Sequence, residues 1–238
     1  MPNPLGFSTG FYYGLDWPLE KRLASLLEVS NAAVELQTTD LFALGESLSE
    51  AAIALMREFQ YRSVHLPATI QYPSPEADLL LPHILKLIDD VAAHAIVIHP
   101  DTITDPAWVA KNFDDRIAIE NMDINKTFGQ IPDDLLQLFE KIPQAKWVFD
   151  INHAYTVDPT QTLGGSLFHN LSYRLTHYHF SGYGNDHQRH IPLSETHQDE
   201  MFRMLSDKNV PIIIESVAQD DSADPVKEYQ YILDHLGN

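Results

Sequence analysis

Histidine, aspartate and glutamate recur at the ends of short apolar runs along this sequence. Taken in order, the run ends offer His65, His99, Glu120, Asp150 followed three residues on by His153, His177 or His179, and Glu215. Imidazole nitrogens and carboxylate oxygens are donors for divalent cations, and such groups converging in a buried space need a cation to offset their loss of water. A single histidine at a strand end is more often a hydrogen-bonded framework residue, and a single buried acid is commonly salt-bridged. Six consecutive strands that end this way point instead to a shared site. The chain has no cysteine, so a metal would rest on imidazole and carboxylate alone, and neither disulfides nor thiolate zinc sites can form. The lack of a Gly-rich phosphate loop, of a G-x-S-x-G elbow and of a thiol nucleophile argues against nucleotide-binding and acyl-enzyme mechanisms.

The elements that must position these residues follow from the alternation of short β-rich runs with longer amphipathic segments, the pattern of a parallel sheet with crossover helices. The predicted strands are LGFSTG at 5–10, AAVELQ at 32–37, SVHLP at 63–67, AIVIHP at 95–100, RIAIEN at 116–121, KWVFDI at 146–151, THYHFS at 176–181 and PIIIES at 211–216. Their spacing is about that of one βα unit. Helix starts are signalled by Asp16 with Pro18, by a Ser47–Glu50 capping box before AAIALMREF, and by Pro132 before DDLLQLFEKI. Further helices are predicted over Leu79–His94, Gln161–Leu175 and Asp224–Leu236, with a short one in DPAWVAKNF. An open sheet would place its site at one switch point, whereas a barrel gathers residues from many strand ends. The polar residues end many strands, so the expected fold class is α/β, a (β/α)8 TIM barrel forming a single domain over residues 1–238. No linker or low-complexity stretch interrupts it.

The chain of 238 residues carries 34 acidic against 15 basic side chains, a net charge of −19. Nucleic-acid binders neutralise phosphates with clustered Lys and Arg, so tight binding to DNA or to an anionic membrane is disfavoured. Most of this charge reads as a solvated surface. The first residues, MPNPLGFSTGFYYG, lack a basic and apolar leader, and no apolar run approaches the roughly 18 residues of a membrane span. A soluble, cytoplasmic protein is therefore expected.

An ordered set of motifs carries a resemblance. VEL at 34–36, VHLP at 64–67, VIHP at 97–100, IEN at 119–121, FDINHAY at 149–155, HYHFSG at 177–182, HIPL at 190–193 and IIES at 213–216 together resemble the xylose-isomerase-like barrel superfamily, which includes sugar isomerases, epimerases and the endonuclease IV group. FDINHAY, with its D-x-x-H pair, is the most specific of them. The resemblance implies a metal quartet at Glu120, Asp150, His179 and Glu215. It implies one divalent ion, such as zinc, manganese, cobalt or magnesium, that binds adjacent substrate oxygens. Glu120 and Glu215 would then be the acid and base, and His153 would orient the substrate. His177 and His179 share a strand, and only one of them is expected to face the axis easily; the family motif favours His179.

The endonuclease IV group holds up to three zinc ions, and the additional positions correspond to His65, His99, His153 and His190. Its Asp-x-His pair reads Gln188 and His190 here, which leaves one carboxylate missing unless a slightly different loop lets Asp186 or His187 restore a ligand. In a mononuclear site, His65, His99, His190 and Arg189 are the expected substrate-binding residues, Arg189 being the main cation near the strand ends. Glu35, at the end of the second strand, recurs among the isomerases of the resemblance and serves equally well as a framework carboxylate. Phe7, Phe11, Tyr12, Tyr13 and Trp17 would form either an aromatic wall for a sugar ring or ordinary packing. His83, His94, His169 and His197 fall on predicted helices, away from the site. The leading expectation is an isomerase or epimerase of a sugar, polyol or related hydroxy-carbonyl compound. The alternatives are a di- or trinuclear hydrolase of a phosphoester and a non-catalytic metal- or sugar-binding barrel. The partner is a small molecule in each enzymatic reading, and the resemblance is compatible with a homo-oligomer.

Overall fold

Strand runs of Ile, Val, Ala, Phe and Trp, apolar on both faces, suit a parallel sheet covered on its outside by helices and filled on its inside by side chains. In the computed structural model, which describes residues 3–39, 47–184, 189–218 and 224–237, the eight predicted strands close into one barrel. They are β1 (Leu5–Ser8), β2 (Ala33–Gln37), β3 (Tyr61–His65), β4 (Ala95–Ile98), β5 (Ile117–Glu120), β6 (Lys146–Asp150), β7 (Leu175–Phe180) and, after a two-stranded hairpin of β8 (Gly182–Tyr183) and β9 (Arg189–Ile191), β10 (Ile212–Ile214). Every barrel pairing is parallel, and β1 closes the ring between β10 and β2. The expected fold class is thus the observed one. Among the described residues, no helix is long and apolar enough to cross a membrane.

Period-two alternation separates two cores. Ile96, Ile98, Ile117, Ile119, Trp147 and Phe149 belong to the large cluster packed against the helices, while the residues between them, Val97, Ala118 and Val148, form a separate cluster. That second cluster is the inner filling of the barrel. Two residues beyond Val97, Ala118 and Val148 on the same face come His99, Glu120 and Asp150. The inward face therefore changes from apolar to ionisable at the C-terminal rim, and the fold delivers these groups to one place. Gly6 of β1 permits the narrow interior on its side, since a Cβ there would lie 1.8 Å from the Ala33 carbonyl oxygen.

Several helix boundaries differ from the expectation. The helix after β2 spans Glu50–Glu58 and is capped by Ser49, whose hydroxyl accepts from the Ala52 N–H at 3.0 Å. Ser47 lies two residues too early to reach that amide. The helix expected over Leu79–His94 spans Pro75–Asp90, because Ser74 caps it and Pro75 fits its first turn; Pro82 is carried inside it. His94 consequently sits beyond the helix, in the turn before β4, where its Nδ1 accepts from the Arg62 N–H and its ring stacks on Tyr61. The helix expected over Gln161–Leu175 is regular over Thr162–Leu171 and tightens into a 3-10 turn at Ser172–Arg174. A further helix, Ile151–Val157, starts directly from the last residue of β6.

Candidate metal centre and active site

The D-x-x-H spacing has a local cause. Asp150 caps the helix that begins at Ile151, its Oδ1 accepting from the His153 N–H at 2.7 Å. That bond holds Oδ1, while Oδ2, also buried, has no hydrogen-bond partner and lies 3.3 Å from His153 Nδ1. Asn121, at the end of β5, clamps the neighbouring strand end. Its Nδ2 donates to the Asp150 carbonyl at 2.8 Å and its Oδ1 accepts from the Asp150 N–H at 3.0 Å. Substituting Asn121→Ala removes both bonds and leaves a buried amide unpaired; a loss of about 2 kcal/mol is expected, read as a lower denaturant midpoint, together with weaker divalent-ion binding.

Glu120, Asp150, His179 and Glu215 each bring a donor atom within 4.8 Å of the others, and all four residues are buried. His179 Nδ1 lies 3.0 Å from Glu120 Oε1 and 3.2 Å from Glu215 Oε2. The second oxygen of Glu120 turns the other way, 3.3 Å from His65 Nε2 and 3.2 Å from His99 Nε2. Glu120 thereby faces two potential ligand groups with one oxygen each. His153 Nδ1 lies 2.9 Å from the Asn121 carbonyl, and as its donor it leaves Nε2 as a lone pair, 4.0 Å from Asp123 Oδ2. His190, in β9 at φ 61°, has its Nδ1 4.0 Å from Glu215 Oε2 and 3.2 Å from Ser181 Oγ.

The protonation pattern of this cluster is that of anions in search of cations. Burial pushes Asp150 well above the usual carboxylate range, reinforced by the neighbouring charges of Glu120 and Glu215. For Glu120, burial alone would raise the carboxyl. The charge of His179 and hydrogen bonds from His179, His65 and His99 outweigh it and hold Glu120 well below its ordinary range. His179 is raised well above an ordinary imidazole, because Glu215, Glu35 and Glu120 overcome the effect of burial. Three carboxylates and an imidazole, one carboxylate oxygen without a hydrogen bond, fit a divalent cation, which would replace the protons the cluster otherwise keeps.

Above the cluster opens a cavity of about 390 Å³. His65, His99, Glu120, His153, His190 and Glu215 form part of its wall, with Ser8, Tyr13, Gln37 and Lys126 among the remaining lining residues. Asp150 and His179 are not among the lining residues. Of the predicted aromatic residues only Tyr13 reaches the cavity. Phe7, Phe11 and Tyr12 are buried in the outer core, and Trp17 packs on Tyr12 under Lys21. The backbone of Arg189 lies in β9; Asp186, His187 and Gln188 lie outside the described residues. His83 and His169 sit on helices and His197 ends one, none of them in the cavity wall.

The expectation for His177 and His179 is corrected. Residues two apart on a strand share a face, so both point inward, fully buried, with their Nε2 atoms 3.1 Å apart. Sequence reading also missed three groups. Asn121 directly follows Glu120 and could have been suspected from its place in IEN. Asp123 and Lys126 lie in the loop beyond, where no periodicity marks them; Lys126 Nζ reaches Asp101 Oδ2 at 2.6 Å.

Neither a family model nor a curated protein matches this chain. Solved structures do. Endonuclease IV from Thermus thermophilus aligns at 13% identity over 99% of this chain and 98% of its own, with a TM-score of 0.69. A putative xylose isomerase from Rhodospirillum rubrum aligns at 11% identity over 99% and 97%, with a TM-score of 0.65. The chain shares the closed (β/α)8 barrel fold of these structures. D-Psicose 3-epimerase from Clostridium cellulolyticum shares that fold with it at 12% identity, over 100% of this chain and 97% of that one, with a TM-score of 0.60. At such identities the likeness establishes the barrel fold alone, and the chemistry must be argued from the residues.

Proposed function

We propose that this protein is a divalent-metal-dependent isomerase or epimerase of a small sugar, polyol or related hydroxy-carbonyl compound. The observation that carries this reading is the meeting of Glu120, Asp150, His179 and Glu215 within 4.8 Å beneath a cavity of about 390 Å³, where Glu120 and Glu215 also line the wall. The solved neighbours include proteins described as epimerases, which favours this class. An ion held by the quartet supplies Lewis-acid polarisation of a substrate carbonyl and so acidifies the adjacent C–H. Glu215, with Oε2 turned to His179, has Oε1 left to take a proton from one face of the carbon, and Glu120 is the second carboxylate for the return step. His153 Nε2, fixed by the Asn121 carbonyl on its other nitrogen, orients a substrate hydroxyl. His65, His99 and His190 fill the rest of that polar wall, and Arg189 remains a proposed substrate contact.

The test is proton exchange. With the manganese-loaded protein in D2O, a panel of ketoses and aldoses is expected to show deuterium at the carbon next to the carbonyl, and the signal is expected to vanish in Glu215→Gln. A metal-loaded protein that exchanges no carbon-bound hydrogen on any of these sugars would remove the proposal.

One observation favours a second reading. His65, His99 and Glu120 form their own potential ligand group, and Glu120 divides its oxygens between that group and the quartet. A bridging carboxylate of this kind suits two ions and hydrolysis of a small phosphoester, in which the attacking water and the leaving oxygen are both stabilised. Two bound zinc ions and turnover of a simple aryl phosphodiester, without carbon–hydrogen exchange, would select it. The net charge of −19 disfavours DNA as the substrate in either case.

A further inference from the structure

Beneath the quartet, on the same inward face, lies a polar group that neither proposed reaction uses. Glu35 of β2 is fully buried, and Oε2 of its carboxylate gathers three neighbours: Ser63 Oγ at 2.8 Å, His179 Nε2 at 3.2 Å and His177 Nε2 at 3.5 Å. His177 is held from the other side, its Nδ1 lying 2.8 Å from the Tyr61 hydroxyl. A fully buried carboxylate with three polar side chains arranged around it is costly unless each proton has a defined place.

The ligand role of His179 defines where its proton sits. As a ligand, His179 presents the lone pair of Nδ1 to the ion, so its single N–H is on Nε2. Two acceptors face that proton, Glu35 Oε2 at 3.2 Å and His177 Nε2 at 3.1 Å. With the two Nε2 atoms this close, only one of them can carry a proton, so that of His177 is on Nδ1, 2.8 Å from the Tyr61 hydroxyl oxygen. The carboxylate is the stronger, charged acceptor, and Glu35 Oε2 accepts from Ser63 and His179, while Oε1 has no hydrogen-bond partner.

We propose that Glu35 is the positioning residue of the metal ligand His179, fixing its tautomer and ring orientation and strengthening Nδ1 as a donor, with the Ser63 hydroxyl holding the accepting oxygen of Glu35 in place. The proposal rests on the reading of His179 as a ligand. Carboxylates that accept the second N–H of a ligating histidine typically govern metal affinity by about 10–100-fold. This role also gives Glu35 a reason to be present that framework packing does not supply.

The experiment is a cobalt(II) titration of the full-length apoprotein in competition with a chromophoric chelator, on wild type and on Glu35→Gln, with apoprotein unfolding midpoints recorded in parallel. The expected result is a dissociation constant about 10–100-fold weaker in E35Q, with a shifted cobalt visible spectrum. Ser63→Ala, which leaves Glu35 in place and removes a donor to its Oε2, is expected to weaken binding in the same direction by less, and serves if E35Q does not fold. A purely structural role would lower the apoprotein midpoint and leave affinity and spectrum unchanged, which overturns the proposal. A wild type that binds no cobalt overturns the reading of His179 as a ligand, and the proposal with it.

Discussion

The double variant Glu120→Gln, Asp150→Asn is expected to lose its divalent ion while the barrel remains folded. Two of the four quartet donors become neutral amides, which are poor replacements for anionic ligands. Even groups one layer behind a ligand govern affinity by about 10–100-fold, so loss of two ligands should weaken binding by more than about 100-fold. The fold should survive because both replacements keep the side-chain shape and Asp150→Asn keeps its local cap. The amide introduced by Asp150→Asn would retain an Oδ1 to cap the His153 N–H, and burial already makes the metal-free Asp150 prefer its neutral form. Chelator competition reads the affinity and a circular-dichroism melt reads the fold. Undiminished affinity in the folded variant would place the ion elsewhere.

The second large effect is a dependence of stability on pH in the metal-free protein. His65 is raised from 6.5 to about 9: burial lowers it, but the hydrogen bond to Glu120 and the charges of Glu35, Glu120 and Glu215 prevail. A histidine whose folded pKa exceeds its unfolded value stabilises the fold fully below the unfolded pKa, and that contribution is lost as pH rises through the folded value. The native state binds more protons in this window, so stability should fall between about pH 6.5 and 9 by about 3 kcal/mol. Urea midpoints across that range measure it. A flat or rising profile would contradict the assignment, and in His65→Asn the decline should diminish. In the two-ion reading an ion bound to His65 makes the imidazole already neutral, so a protein loaded at that second group should not show this slope.

Much of this arrangement is legible in the sequence because barrel geometry converts position into location. Each inner apolar residue, Val97, Ala118 or Val148, is followed two positions later by an ionisable one, so strand-end reading finds His99, Glu120 and Asp150 without any contact information. The same period of two, applied to HYH at 177–179, puts both histidines inside, contrary to the expectation that only one would easily face the axis. What stays hidden depends on partners remote in sequence. Glu35 meets His179 across 144 positions, and nothing near Glu35 announces that its acceptor oxygen serves a ligand. Asn121 and Asp123 follow a strand end and act through backbone geometry that residue type does not encode. The displaced helix starts show the same limit at short range: Ser47 and Ser49 are both good caps by type, and only the amide within reach, Ala52, selects Ser49.

The central claim is that the convergent carboxylates and imidazoles hold a catalytic divalent ion. Elemental analysis of protein purified without chelator, with the Glu120→Gln, Asp150→Asn variant beside it, tests this most directly. At least one zinc, manganese, cobalt or magnesium ion per wild-type chain and loss of that ion in the variant is the result the account predicts. A wild type that contains no ion, and takes up none on reconstitution with any of these metals, would contradict it.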